Sequence, residues 1–294
     1  MAFFATDREK GGRTTKTFII NLPSANKRRE HILADATRCN LDFELIEAVN
    51  GRNLTEAELK SKVDLEKVRQ FPNWLTPGML GCSLSHHMVY GKILEMGLDC
   101  ALIVEDDAAL PANLTDIADS IQEKMFGNEI VLLHYSSFKS LELSKHNATR
   151  LPHDRELLFP MFLRGVGSTA CYMITQGAAR SLYEHLLPIR FSPDSFLHFH
   201  EEEMLESIRC IYPRVVDVIG AKSTVEAPAQ SFLRYWTTDA IERYDVPVFN
   251  TLLRKLRLKS IESRLKVSLV DEASPFDITQ RPNSTSFFYE ESVS

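Results

Sequence analysis

The chain has 294 residues, of which 44% are hydrophobic and 25% charged, and its formal net charge at pH 7 is −6. These values are typical of a globular protein with one large domain and appendages, and the acidic balance argues against nucleic acid as a partner. No run approaches the roughly 18 apolar residues that would span a bilayer. Five cysteines, an odd number with no CxxC pair, indicate reduced thiols and a cytoplasmic location.

The first predicted elements are a strand and a helix behind a polar leader. The leader, residues 1–16, lacks the apolar core of a signal peptide. Residues 17–22 are a short apolar run and predict a core strand. The helix predicted over 26–37 carries cations in its first turn, among them Arg28 and Arg29. Because cations are unfavourable at a helix N-terminus, they either form a solvated basic patch or face an anion.

A long helix is predicted next, after a strand at 43–49 and a surface helix at 54–69. A Thr-Pro pair marks its start, and it extends over 76–96. His86 lies on its apolar stripe together with Cys82. A histidine in such a position is more often a hydrogen-bonded core residue than a ligand-binding one, and the sequence leaves both alternatives open.

The most informative stretch is an apolar strand that ends in three acids. Residues 101–104 are continuously apolar and predict a strand buried on both faces, and Glu105, Asp106 and Asp107 follow directly. Three adjacent carboxylates cannot all stay ionised in a dry interior. We therefore expect them at the carboxyl end of the strand, facing a crevice and compensated by a cation. Oxygen ligands favour Mg²⁺ or Mn²⁺; the alternative is a solvated acidic turn.

The rest of the chain continues the alternation of helices and strands that is typical of an α/β fold. The stretch 136–156 is polar and predicts a loop, and Asp194 follows a proline before a helix predicted over 195–208. The other predicted elements are a helix at 114–125, strands at 129–134 and 170–175, a helix at 177–187 and a strand at 210–212.

The C-terminal part changes character. Residues 251–266 hold six basic residues against one acid, a net charge of +5, with leucines interleaved. This pattern predicts a basic amphipathic helix that suits an anionic membrane surface. The alternative is a helix packed on the domain with its basic face in water. Residues after 271 are poor in apolar side chains and predict disorder.

Taken together, the motifs resemble those of glycosyltransferase family 25, the group of bacterial lipooligosaccharide galactosyltransferases. The resemblance covers roughly residues 17–220 and is specific only collectively. Its motifs are Phe18–Leu22 with Arg28 and Arg29, Thr76–Gly78 with Gly81–His86, Leu102–Asp107, Gly167–Tyr172 with Gly177 and Ala178, and, more weakly, Pro193-Asp194. Ser195 departs from the family pattern, in which an aromatic residue or histidine often follows that aspartate.

The resemblance implies a GT-A fold, a single Rossmann-like mixed sheet flanked by helices. The domain would occupy 17–226, after the leader 1–16 and before a partly disordered, helical basic tail at 227–294. It implies inverting transfer of a hexose, galactose first, from a UDP-sugar to an oligosaccharide or lipid-linked saccharide in lipopolysaccharide or lipooligosaccharide biosynthesis. The enzyme would work in the cytoplasm, with possible peripheral attachment to the inner face of the cytoplasmic membrane.

The resemblance also assigns site residues. Asp107 and Asp106 would hold Mn²⁺ or Mg²⁺. Asp194 would be the general base, unless it caps the following helix, and Glu201 to Glu203 are the second choices for the base. The donor would be bound by Asn21, Arg28, Arg29, Ser85, His86, Glu105 and Asp106.

Two other function classes use parts of the same pattern. A different metal-dependent, nucleotide-using transferase could employ the same acids, but it would favour a Gly-rich phosphate loop after the first strand, and the sequence has none there. A non-catalytic sugar-binding relative would be expected to have lost the acids, and all three are present.

Overall fold

The computed structural model describes residues 14–70, 75–137, 140–219 and 266–280. The strands in these ranges are β1 (Lys16–Asn21), β2 (Asp42–Glu47), β3 (Cys100–Glu105), β4 (Ala108–Ala109), β5 (Glu129–Leu132), β6 (Ser136–Ser137), β7 (Leu141–Leu151), β8 (Arg155–Pro160), β9 (Val166–Gly167), β10 (Cys171–Thr175), β11 (Ser207–Tyr212), β12 (Asp217–Val218) and β13 (Val267–Val270). The helices are α1 (Asn26–Arg38), α2 (Glu56–Lys62), α3 (Leu65–Gln70), α4 (Pro77–Glu95), α5 (Leu114–Gln122), α6 (Gln176–His185) and α7 (Phe196–Glu201), with 3₁₀ turns at Gly51–Asn53 and Ile278–Gln280.

Nine strands form one mixed sheet in the order β13-β7-β8-β11-β5-β10-β3-β1-β2. Strand β1 is parallel to both β2 and β3, whereas β10 is antiparallel to its neighbours β3 and β5. The carboxyl ends of β1, β2, β3 and β5 and the start of β10 therefore lie along one edge. This edge is where the acid motif ends β3.

The sheet is buried on both faces because its central strands are apolar throughout. In β3 the alternation sends Ile103 into one core with Val89 of α4 and Leu182 of α6. Leu102 lies in the opposite core, with residues of α1 and α5. This confirms the predicted α/β architecture of a mixed sheet flanked by helices. Within the described ranges, no helix has both the length and the apolar character to cross a membrane.

The stretch 136–156, predicted to be a loop, instead begins the hairpin of β7 and β8. Its leucines, including Leu143 and Leu151, are buried, whereas residues 145–147 and Arg150 between them are exposed. An irregularity in the pairing between Ser144 and Thr149 interrupts the alternation. The strand signal was therefore hidden by a polar face and a bulge, which explains why the prediction was wrong.

The helix predicted over 195–208 is much shorter, since α7 ends at Glu201. Glu203 has a φ of 58°, which ends the helical path, and the chain enters β11 at Ser207. The residues between them turn the backbone onto the sheet, so the prediction merged a short helix with the start of a strand.

Two segments predicted to lie outside the domain, the end of the leader and part of the tail, contact the described fold. Thr15 is buried, and its backbone N–H donates to Asp119 Oδ1 at 2.8 Å, so the end of the leader belongs to the domain. Residues 266–280 of the predicted tail add β13 parallel to β7, and Ser274 Oγ donates to the Pro160 carbonyl at 2.6 Å. Polar and backbone hydrogen bonds hold residues 272–280, which the low apolar content predicted to be disordered, and residues 281–294 of that prediction lie outside the described residues. The basic stretch 251–265 lies outside the described residues.

Candidate active site

Asp106 is the most enclosed of the three acids. It is buried, its Oδ2 accepts a hydrogen bond from Asn21 Nδ2 at 2.6 Å, and Arg28 Nη1 lies 3.3 Å from its Oδ1. Burial raises the pKa of this carboxyl, while the charge of Arg28 and the Asn21 hydrogen bond oppose the rise. Asn21 is placed here because it ends β1 beside β3. The sequence predicts that the cations in the first turn of α1 face solvent or an anion. For Arg28 this anion is the carboxylate of Asp106, a side chain of the protein itself.

Glu105 points to α4 and to the loop before β10. His86 Nε2 lies 3.2 Å from its Oε1, Thr169 Oγ1 donates to the same oxygen at 2.5 Å, and Cys82 Sγ lies at 3.6 Å. Burial acts to raise the pKa of Glu105, but the hydrogen bonds and charge of His86, with Thr169 and Cys82, hold the pKa below its usual value. This carboxylate is therefore ionised at neutral pH.

Asp107 has no such support. Its Oδ1 is buried and has no hydrogen-bond partner among the described residues. Burial and the charges of Glu105 and Asp106 raise its pKa to about 6. Its backbone carbonyl accepts a hydrogen bond from Ile219 N–H at 2.7 Å, which fixes the turn. A buried, unpartnered carboxylate oxygen beside two further acids fits a hard divalent cation, so the residues present suit Mg²⁺ or Mn²⁺.

Asp194 lies across the loop that precedes β10. Its Oδ2 accepts from Ser168 N–H at 3.0 Å and its Oδ1 accepts from Ser192 Oγ at 3.0 Å. A Cβ at Gly167 would lie 2.7 Å from Asp194 Oδ2, so the glycine permits this approach. The next residue but one, Thr169, hydrogen-bonds Glu105, so a short loop joins Asp194 to the acid motif. The capping alternative is not observed, since α7 begins after Ser195 without a side-chain cap.

The two predicted donor-binding residues of α4 have different positions. Ser85 is buried, accepts from Val49 N–H at 2.9 Å and donates to the Gly81 carbonyl at 2.7 Å, so it joins the end of β2 to α4. His86 is buried and lies at hydrogen-bond distance from two other side chains, which is the core position that the sequence offered as one alternative. Its Nδ1 lies 2.8 Å from the hydroxyl of the buried Tyr172, while its Nε2 faces Glu105.

Two clefts open at the carboxyl ends of β1 and β2, and the smaller of them is lined by Asn21, the hydrogen-bond partner of Asp106. The larger has a volume of about 560 Å³ and is lined by residues 22–24 and 47–50, by Asn53, Leu54 and Glu58, and by Met88. The smaller, about 160 Å³, is lined by Asn21 and by the exposed Arg29. The structure thus brings Asn21, Arg28 and the acids together and places Arg29 at a neighbouring cleft.

Sequence reasoning missed Cys82 and Thr169 as partners of Glu105. The spacing of Cys82 and His86, four residues apart on a helix, could have indicated a shared face. No local signal connects Thr169 to Glu105, because their contact depends on β10 pairing with β3. The five cysteines are all free, as predicted.

Comparisons with known proteins agree with this geometry. The profile of glycosyltransferase family 25, described as an LPS biosynthesis protein family, matches residues 14–197. Similar proteins include a "Putative glycosyltransferase" of Haemophilus influenzae, 26% identical over 64% of this chain and 66% of its own length. The lipooligosaccharide biosynthesis protein lic2B of Haemophilus influenzae is 25% identical over 58% of this chain and 62% of its own length. Human procollagen galactosyltransferase 2 is 26% identical over 40% of this chain and 20% of its own length.

The chain spans less than two thirds of the length of the curated relatives that it matches. A protein of Mus musculus named as an inactive glycosyltransferase 25 family member also matches, at 30% identity over 112 residues. Sequence similarity alone therefore does not separate active from inactive relatives.

Proposed function

Because this chain belongs to glycosyltransferase family 25, we propose that it moves a hexose, galactose first, from a UDP-sugar to a saccharide acceptor of lipopolysaccharide or lipooligosaccharide biosynthesis. The proposal includes a GT-A arrangement and inversion at the anomeric carbon. The observation that carries it is the buried Asp107 oxygen without a hydrogen-bond partner in the described chain, at the crevice end of β3. An enzyme that binds a metal–diphosphate complex needs such a free ligand.

Asp107, with Asp106 beside it, would hold Mn²⁺ or Mg²⁺. When bound, the ion neutralises negative charge that develops on the departing diphosphate. Asn21 and Arg28 restrain Asp106, so the acid pair enters the reaction already oriented. The cleft of about 560 Å³ at the ends of β1 and β2 is large enough for a nucleoside, which would place the diphosphate toward the acids.

The proposed chemical step is a single displacement. The acceptor hydroxyl oxygen attacks the anomeric carbon, the bond from that carbon to the diphosphate oxygen breaks, and UDP leaves. The hydroxyl proton passes to a base on the acceptor side. Asp194 is the proposed base, because its carboxylate is partly exposed and is held near Glu105 by the loop 167–169.

A panel of UDP-sugars, each incubated with the protein, a saccharide acceptor and Mn²⁺, tests the proposal through UDP release. We expect release with one UDP-hexose, its loss on chelation, and its abolition in Asp107→Asn. The exposed Asp116 on α5 supplies the control, since Asp116→Asn should retain full release. Metal-independent release, or full release by Asp107→Asn, would contradict the assignment.

Sugar binding without transfer is a second candidate, favoured by the similar mouse protein that is named inactive. It predicts that a UDP-sugar or saccharide binds in calorimetry while no UDP appears with any donor. The intact acid motif supports transfer instead. The same panel separates the two functions when binding is measured alongside UDP release.

We also propose that the enzyme works in the cytoplasm and that the basic stretch 251–266 attaches it to the inner face of the cytoplasmic membrane. Each basic side chain near an anionic surface contributes about 1 kcal/mol, so a net +5 supports reversible attachment that salt weakens. Sedimentation with phosphatidylglycerol vesicles tests this. Binding should fall when Arg254, Lys255 and Arg257 are changed to glutamate, and absence of wild-type binding at low salt would overturn it.

A further inference from the structure

We propose that Cys82, His86 and Glu105 form a second metal site, one that takes a soft divalent cation such as Zn²⁺. The site is distinct from the hard-cation site proposed at Asp107, because its ligands include a sulfur and an imidazole nitrogen. In the part of the chain that the structure describes, these three residues are the group whose potential ligand atoms all lie within 4.8 Å of one another. Thiolate, imidazole and carboxylate together are a ligand set that Zn²⁺ accepts.

Two of the three separations between ligand atoms agree with tetrahedral coordination, and the third, from Cys82 Sγ to His86 Nε2, is within 4.8 Å. At metal–ligand distances of about 2.0–2.3 Å, tetrahedral ligands lie roughly 3.3–3.7 Å apart. Glu105 Oε1 is 3.2 Å from His86 Nε2 and 3.6 Å from Cys82 Sγ. A cation could therefore enter with small side-chain adjustments and without rearrangement of the backbone.

The backbone that presents these ligands is rigid. Cys82 and His86 are one helical turn apart on α4, which is the longest helix of the described chain, and Glu105 ends the central strand β3. The distance between α4 and β3 is fixed by the buried core that includes Val89 and Ile103. A site built on such elements loses little conformational entropy when it binds an ion.

The surroundings orient the imidazole for metal binding. His86 Nδ1 lies 2.8 Å from the Tyr172 hydroxyl, and that hydroxyl lies 3.0 Å from the Tyr90 hydroxyl. A hydroxyl can donate or accept a hydrogen bond, so the Tyr172 hydroxyl can accept one from Nδ1–H. In that tautomer Nε2 carries no proton and is free to bind a metal. Metal-binding histidines are typically held in this way through their second nitrogen.

Charge and access also favour a cation. Glu105 is followed by Asp106 and Asp107, so the crevice carries an excess of acids. Cys82 and Glu105 are partly exposed, so an ion can reach them, and three protein ligands leave a fourth position for water. Binding would release the Cys82 thiol proton to solvent as the sulfur–metal bond forms.

Cobalt substitution tests the proposal on the full chain. Chelator-treated protein is titrated with Co²⁺, and we expect thiolate-to-cobalt charge-transfer absorption together with the intense visible bands of tetrahedral cobalt. One equivalent of Zn²⁺ should abolish both. Cys82→Ser should remove the charge-transfer band, and His86→Gln and Glu105→Gln should weaken Co²⁺ binding at least tenfold.

Two variants serve as controls. Cys39→Ser removes another thiol, one that contacts the Pro111 carbonyl away from the acids, and it should keep the full cobalt spectrum. Asp107→Asn should also keep the spectrum, which separates this site from the proposed hard-cation site. Absence of a thiolate band in wild-type protein, or its persistence in Cys82→Ser, would overturn the proposal. If Cys82→Ser does not fold, normal Co²⁺ affinity in folded Glu105→Gln would overturn it equally.

Discussion

The three consecutive acids differ in what compensates each carboxylate. Glu105 has His86, Thr169 and Cys82 around one oxygen, and Asp106 has Asn21 and Arg28. Asp107 has a buried oxygen with no hydrogen-bond partner among the described residues. Two acids are thus held in place by the protein, and the third is the one to which we assign a cation in the proposed function.

The raised pKa of Asp107 predicts that ionisation of this side chain destabilises the metal-free protein. Its folded-state pKa of about 6 exceeds the ordinary value of 3.8, so folding favours the protonated form. Stability from this group is full below pH 3.8 and is lost as the pH rises through 6. We therefore expect Asp107→Asn to raise the melting temperature of chelated protein at pH 8, with little difference at pH 4.

Thermal unfolding with and without Mn²⁺ checks this. Mn²⁺ should raise the melting temperature of the wild type and not that of Asp107→Asn. The difference between the two melting temperatures should therefore narrow or change sign. The exposed Asp116→Asn should leave the melting temperature unchanged at both pH values. A wild-type protein that is more stable than Asp107→Asn at pH 8 without metal would show that the burial argument fails.

Replacement of Asp194 separates a base from a structural support. We expect Asp194→Asn to lower kcat by roughly 10²–10⁴-fold, since the amide cannot take the acceptor proton. Its carbonyl oxygen can still accept from Ser168 N–H, so UDP affinity should be retained. Ser192→Ala removes a neighbouring hydrogen bond without removing the carboxylate, and it should cost far less. Loss of UDP affinity in Asp194→Asn would favour a purely structural role.

At the scale of elements, α4 approaches the chain after β2 closely enough to require glycine. A Cβ at Gly81 would lie 2.4 Å from the Val49 carbonyl oxygen, and one at Gly51 would lie 1.8 Å from the Pro77 carbonyl oxygen. Val49, whose carbonyl oxygen Gly81 approaches, also lines the larger cleft. Packing and cleft shape therefore depend on the same two glycines.

We expect Gly81→Ala to lower the free energy of unfolding by about 1–3 kcal/mol and to weaken UDP-sugar binding, because the backbone must move. Gly91→Ala on the same helix is the matched control. Its Cβ would meet the Tyr183 ring edge at 2.9 Å, and a side chain can shift more easily than backbone. Chemical denaturation with donor titration measures both effects, and equal destabilisation by the two variants would contradict the argument.

A buried ion pair joins β5 to β11. Arg209 donates to Glu129 through Nε at 2.6 Å and Nη2 at 2.8 Å, and both side chains are almost fully buried. We expect Arg209→Met to cost about 3–5 kcal/mol in chemical denaturation, because it leaves Glu129 buried and unpaired. Lys16→Met, which breaks a more exposed pair with Asp42, should cost about 1 kcal/mol or less.

Part of the stability lost in Arg209→Met should be regained when Glu129 is also made neutral. In Arg209→Met with Glu129→Gln, the unpaired charge is gone, so the double variant should be more stable than the single one. If the double variant is less stable, the cost arises from lost packing of the arginine and not from the buried charge.

At the scale of the whole molecule, continuous apolar runs were predictable from sequence, and half-polar strands were not. The strand at 101–104 and the helix from Pro77 were predicted because each carries a complete local signal. The hairpin of β7 and β8 was missed because its polar face resembles a loop. Likewise the acid motif was predicted, but the Asn21 and Thr169 contacts depend on strand pairing between distant residues.

Because the chain returns to the sheet at β13, removal of its C-terminal part also removes a strand of the sheet. The segment 266–280 is attached to β7 by backbone pairing and by polar contacts such as Asn147 Nδ2 to Asp277 Oδ2 at 2.8 Å. It resembles a peptide ligand that completes the sheet of its own receptor by β-augmentation. A protein shortened to end at residue 219 would expose the edge of β7 and self-associate. A synthetic peptide of residues 266–280 should bind that edge and suppress the self-association.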